Sequence, residues 1–269
     1  MERSPETHIA SLRQVFVCSL VAYLIGFIVS TIAHEGAHAI AARLLGVPTV
    51  LYHNYTRTPG DVPADAYLWL VTAGPLTSLL LGAGCLAASY ATRRPTVFTL
   101  IGLWTGMHAM NAFFGYLVLG AFLSDGDTGK IHEALSTPLV LRWVVAIAGF
   151  AMIVMFNRAV ASLFERHAPQ KETEEGHSRV GAANALIAFP ALAGTIGACL
   201  LTLPAPTWIS LAYPATVGFL SLIAYRVMRR RKAPLPPGMR YPRGLPVFPV
   251  ALLFLLIALS VWLTRGLSL

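Results

Sequence analysis

Charge is what this chain has least of. Asp, Glu, Lys and Arg make up 12% of its 269 residues, about half of the ~25% usual in a soluble domain. That scarcity excludes an ordinary soluble enzyme, which depends on a charged, solvated surface. Cysteine is scarce too. Cys18, Cys85 and Cys199 each lie inside an apolar run, none at metal-ligand spacing from another, and they read as small core residues. There is no internal repeat and no appended polar domain.

What is abundant is apolar. Hydrophobic residues make up 56% of the chain and the mean hydropathy is +0.65. Seven stretches, about 15–38, 66–90, 97–123, 139–163, 183–203, 207–227 and 246–264, approach or exceed the roughly 20 residues that cross a bilayer. The expected fold is therefore an all-α polytopic membrane protein with about seven transmembrane helices. The weakest separation is Leu203-Pro204-Ala205-Pro206, where a tight turn competes with one long or re-entrant element. The first 14 residues are polar, and the apolar run behind them is too long for a signal peptide, so no cleavage is expected. A net charge of +8 and a pI near 9.8 would suit nucleic acid. In a membrane chain the same excess follows from basic residues held in cytoplasmic loops, so the expected partner is the lipid bilayer and not nucleic acid.

Two polar segments stand out. Glu165–Val180 has mixed charge and reads as a solvated loop, and the region 226–245, with RRRK and PLPPG, reads as a basic Pro-rich loop at the membrane surface. Between the first two spans, Gly46–Asp65 carries Val50, Leu51, Tyr52, Tyr55 and Thr56 beside Pro-Gly and two Asp. That composition allows a short β-hairpin after the first helix, whose free edge could take an extended peptide as an added strand.

The chemistry lies near the end of the first span, in His34-Glu35-Gly36-Ala37-His38. On a helix, residues at i and i+4 share a face, so both imidazoles can bind one metal ion, with Glu35 beside them as a base for a water. Three ionisable side chains inside a membrane-length apolar segment are costly, which favours a functional reading over a chance match. Catalytic zinc generally takes a third protein ligand. Ser124-Asp125-Gly126-Asp127-Thr128-Gly129-Lys130 ends the third span, which runs in the same direction as the first, so it arrives on the same side. Asp125 and Asp127 compete for the role, and an ordinary Asp/Gly turn fits the composition as well. His108 and Asn111 share a face of the third span and could bind substrate or orient a ligand, or simply form an interhelical hydrogen bond. Gly74 and Pro75 could break the second span and expose backbone to substrate, or serve close helix packing. His53 and His132 fall in loops and are expected at the surface.

HEGAH at 34–38, TAGPLTSLLLG at 72–82 and SDGDTGKI at 124–131 stand in the order found in the site-2 protease family of intramembrane zinc metalloproteases, which the chain resembles over residues 15–131. The resemblance implies a three-helix catalytic core there. It implies Zn2+ held by His34, His38 and Asp125, Glu35 as catalytic base, and a transmembrane protein as substrate. In the family the Asp is often closely preceded by an Asn and prolines. Here Asn111 lies fourteen residues before Asp125 with no proline between, so Asp127 stays open as the third ligand. Residues 132–269 fall outside the match, as additional transmembrane helices of unassigned role.

The expected function is an intramembrane endopeptidase acting on membrane-anchored proteins. A catalytically silent binding or chaperone protein of the same fold competes with it, although such a protein has no need of Glu35. A two-iron oxidase would need several His-rich boxes, and only His34 and His38 among eight His are paired at ligand spacing. A transporter would leave HEGAH without a purpose. Orientation is in conflict. Seven spans put fifteen of the 20 Lys and Arg on the side of the N-terminus, which is then cytoplasmic. The resemblance instead implies a zinc site near the cytosol, and merging the fifth and sixth spans would remove much of the asymmetry.

Overall fold

The computed structural model describes residues 11–92, 94–169, 178–232, 235–236, 238–239, 241 and 244–269. Half of the solvated loop expected at 165–180, part of the basic loop at 226–245 and the segment before residue 11 lie outside these residues.

The first helix, α1 (Leu12–Leu44), starts at a reciprocal cap between Ser11 and Gln14. It is 33 residues long, and at ~1.5 Å per residue it outruns a hydrocarbon core of ~30 Å by several turns. Its last turns, which carry His34 to His38, therefore reach one face of the bundle. It ends before Gly46, whose φ of 71° is the left-handed conformation that stops a helix. A hairpin of β1 (Val50–Leu51) and β2 (Thr56–Arg57) follows, as the composition allowed. Then come α2 (Ala64–Ala91), α3 (Val97–Leu119), the short α4 (Asp127–Ala134) and α5 (Leu139–Arg166). Next, α6 (Arg179–Ala183) passes through a π-helical turn at Asn184–Ala188 into α7 (Phe189–Leu201). The chain finishes with α8 (Trp208–Arg230), α9 (Val247–Leu263) and β3 (Leu267–Ser268).

Among the described residues, six helical rods are long and apolar enough to cross a membrane, and α9 is a shorter apolar helix of 17 residues. The chain is an all-α polytopic membrane protein with one small sheet. The fifth and sixth spans are separate, joined by a turn at residues 202–207. Direction follows from contacts at the ends. His53 and Asn54, just past α1, meet the carbonyl of Thr202 at the end of α7. Arg231, past α8, pairs with Glu165 at the far end of α5. The linker before α9 docks beside that same end, where Tyr241 donates to the His167 carbonyl at 2.6 Å and Met239 N to that of Ala168 at 2.8 Å. After α9, β3 pairs antiparallel with β1, which places the end of α9 beside the end of α1. So α9 also traverses the whole bundle.

α1 is the central helix, packed against α2, α3, α7 and α9. Water expulsion gives helices in lipid little reason to associate, so close packing and polar clasps must hold them. Gly26 lets α1 approach the α3 backbone so closely that a Cβ there would stand 2.7 Å from Thr105 N. The π turn is clasped by Ser19 Oγ, which donates to the Leu186 carbonyl at 2.6 Å and accepts from the Trp104 indole at 2.9 Å. Around this core the outer helices turn large apolar side chains outward, among them Ile147, Phe150, Phe254 and Leu255, as a lipid-facing surface requires.

Candidate metal site

The site is built by two antiparallel helices with matched stripes. On α1, His34 and His38 lie one turn apart, and on α2 Leu70, Gly74 and Ser78 repeat every four residues along one face. His38 donates its Nδ1 proton to the Leu70 carbonyl at 2.7 Å, and His34 Nδ1 lies 2.9 Å from Ser78 Oγ, which can accept. Both rings are thereby oriented with Nε2 turned inward. Between them sits Gly74. A Cβ there would collide with His38 Nε2 and stand 2.6 Å from His34 Nε2. α2 remains one continuous helix through Pro75, so the break considered at Gly74-Pro75 does not occur, and Gly74 is instead the space that the imidazoles occupy. The Pro75 nitrogen cannot bond the Val71 carbonyl one turn back, and Val71 lines the cavity.

The carboxylate comes from Asp127, the first residue of α4. Its Oδ2 is 2.9 Å from His34 Nε2 and 3.2 Å from His38 Nε2, and the two Nε2 atoms are 3.2 Å apart. Of the two Asp candidates the structure brings Asp127 to the imidazoles, while Asp125 only lines the nearby cavity. Helix geometry accounts for the choice. α4 begins after Gly126, so Asp127 sits at the positive end of the helix, turned toward α1, and Asp125 stays in the turn before it. Burial alone would raise the Asp127 carboxyl. Hydrogen bonds from His34 and His38, with the charge of both rings, outweigh it and hold the carboxyl well below the usual carboxylate range.

These three atoms fit a metal. Four donors ~2.05 Å from a tetrahedral zinc stand about 3.3 Å from one another, close to the spacing here. Two imidazole nitrogens and a carboxylate oxygen this close need protons or a cation shared among them, and a metal ion meets that need. Tyr116 stacks on His34 with ring centroids 5.2 Å apart and planes 11° from parallel, which fixes the imidazole from the other side.

A cavity of about 350 Å³ opens onto the triad. Glu35 lines it, and its carboxylate accepts from Thr56 Oγ1 of β2 at 3.0 Å, a hydroxyl also 2.9 Å from the Glu35 carbonyl. The opposite wall is Thr202, Pro206, Thr207, Ser210 and Tyr213, from the α7–α8 turn and α8. A cavity divided between residues 30–130 and this C-terminal stretch means that the helices beyond the three-helix core help to build the site.

Other expectations fare differently. His108 does not line the cavity. It is fully buried within the rings of Tyr23, Phe27, Trp104 and Tyr213, at centroid distances of 4.5 to 6.4 Å. Asn111 is also outside the cavity wall, where its Oδ1 accepts from Asn157 of α5 at 2.7 Å, the interhelical bond that the sequence equally allowed. His53 and His132, expected at the surface, are both buried. Burial lowers the His53 imidazole, partly offset by the Thr202 carbonyl; burial and then Arg142 lower that of His132. Thr56, Ser78, Tyr116 and the Leu70 carbonyl were not singled out from the sequence. Ser78 carried a signal, four residues after Gly74, whereas Thr56 and Tyr116 carried none without the fold.

Comparison with protein-family models, with curated proteins and with solved structures finds no match in any of the three.

Proposed function

We propose that the chain is a zinc-dependent intramembrane endopeptidase that cuts membrane-anchored proteins, as its resemblance to site-2 proteases implies. The observation that carries this reading is the convergence of His34, His38 and Asp127 on one point beside Glu35, in a cavity large enough for a peptide. Bound there, zinc would supply Lewis acidity to a water and to the carbonyl under attack. Glu35 takes the proton from that water and returns it to the leaving amine. Thr56 holds the Glu35 carboxylate toward the cavity. Tyr116, Ser78 and the Leu70 carbonyl keep the imidazoles in place while charge changes around them.

A peptide enters this chemistry only with its carbonyls freed from helical hydrogen bonds. Two features suit an unwound segment. β1 is the central strand, so the outer edge of β2 is unpaired among the described residues and can accept an added strand. Thr31, Thr207 and Ser210 line the cavity, and their hydroxyls can satisfy released backbone groups. The test is cleavage of fluorescein-labelled casein, an unfolded general substrate, by the zinc-loaded protein in detergent, with Glu35→Gln as control. Cleavage by the wild type alone supports the reading. Equal cleavage by both, or none by either while zinc is bound, leaves a metal-holding protein of the silent class.

A further inference from the structure

The two ends of the bundle carry different charge. At one end α1 begins, α2 and α5 end, α6 begins and α8 ends. There Arg231 pairs with Glu165 at 3.0 Å, Arg179 reaches the same carboxylate, and Arg166 donates to the Ser89 and Tyr90 carbonyls at 3.2 and 3.0 Å. At the other end lie the hairpin, α4, the α7–α8 turn, β3 and the triad. Since each long rod crosses from one end to the other, chain order sorts the rest. Among the described residues, ten of the 15 Lys and Arg, but only one of the seven Asp and Glu, fall at the first end. The basic residues cluster within a few positions of the span ends, where their bias sets orientation, and acidic residues contribute little.

The sequence left one escape from this count, the fusion of the fifth and sixth spans, which would carry Arg226 to Lys232 to the other side. The structure removes it. The end of α7 touches Asn54 and the end of α8 touches Glu165, so these helices are antiparallel and each runs the length of the bundle. α9 is a seventh traverse, its Phe248 against Phe98 at the start of α3 and its finish tied to β1 through β3.

We propose that the chain sits with its basic end in the cytoplasm and its triad cavity near the opposite face, and that the polypeptide it accepts is the non-cytoplasmic flank of a membrane-anchored protein. The second half rests on the peptidase reading; the first does not. The placement is opposite to the one the resemblance implied.

Labelling of single cysteines with a membrane-impermeant maleimide, in intact cells expressing the full chain, tests it. In a background of Cys18→Ala, Cys85→Ala and Cys199→Ala, Ala134→Cys marks the triad end and Ala91→Cys the basic end; both positions are exposed. Ala134→Cys is expected to label in intact cells, and Ala91→Cys only after permeabilisation. The reverse pattern, or equal labelling of both, overturns the orientation. If that background fails to fold, reporters fused after Leu269 of the unsubstituted chain decide instead. An active alkaline phosphatase with a dark green fluorescent protein supports the proposal, and the opposite pair overturns it. The second half is read from labelled casein added outside sealed vesicles. Cleavage by right-side-out vesicles, lost in inside-out ones and in Glu35→Gln, is expected. Cleavage confined to inside-out vesicles overturns the proposed flank and leaves the peptidase reading intact. The expected labelling with no Glu35-dependent cleavage in either kind overturns the peptidase reading and the substrate half with it.

Discussion

The chain buries histidine inside its bundle in two quite different ways. At His34 and His38 the rings face each other, a carboxylate joins them, and a cavity reaches the group. At His108, one bundle layer away, the ring is enclosed by four aromatic side chains, and neighbouring Asn111 is spent on a clasp to Asn157. An ionisable residue in a membrane span is by default a candidate for function. What separates the two places is convergent donors, fixed ring orientations and room for a reactant. His108 lacks the first and the last.

Substitutions should separate the two regions in proportion. Glu35→Gln should lower casein cleavage by about 10²–10⁴-fold, the usual worth of a general acid–base group, while zinc content stays at the wild-type level. Retained cleavage would break the comparison at its chemical end. Gly74→Ala should come next, because its Cβ would occupy the place of both Nε2 atoms. Zinc content measured by atomic emission should fall to a small fraction of the wild type, whereas His108→Leu should leave it unchanged. Thr56→Val should slow cleavage by roughly tenfold, the worth of a hydrogen bond to a charged group. Thr56→Ser should restore most of it, and zinc should be unaffected in both.

Smaller effects belong to the structural region. Asn157→Leu should cost about 1 kcal/mol of stability, typical of an interhelical hydrogen bond in a membrane, with zinc and cleavage rate unaltered. His167, past the end of α5, gives a pH signature. Burial pushes its imidazole down to about 4; the Leu163 carbonyl offsets part of this and Arg166 adds to it. An unfolded His titrates near ~6.5, so the unfolded chain binds more protons between those values. The stability from a buried neutral His167 is complete above about pH 6.5 and is lost as pH falls toward 4. Thermal unfolding in detergent across that range should fall less steeply for His167→Gln than for the wild type.

The spans and the His-Glu-His motif were legible because hydropathy and i, i+4 spacing are local properties. The hairpin was legible from its β-branched and turn residues. β3 was not, since Leu267–Ser268 is a strand only because Val50–Leu51 lies beside it. Asp125 and Asp127 are two residues apart in one polar turn, and which of them faces the imidazoles depends on where α4 starts. Gly74 reads as a packing glycine until α1 and α2 are set in register. His53 and His132 fall in connections that sequence composition marks as exposed, yet each is buried by elements distant in the chain. The wall at Thr207, Ser210 and Tyr213 depends on the return of α8 to α1, which no local pattern encodes.

The most direct measurement is the zinc content of the purified protein in detergent, for the wild type beside Asp127→Ala, Asp125→Ala and His38→Ala. The account predicts about one zinc per chain in the wild type, the count of a single catalytic site. It predicts the same in Asp125→Ala and a loss in Asp127→Ala and His38→Ala. No zinc in a folded wild type, or a loss on substituting Asp125 with Asp127 dispensable, would contradict it.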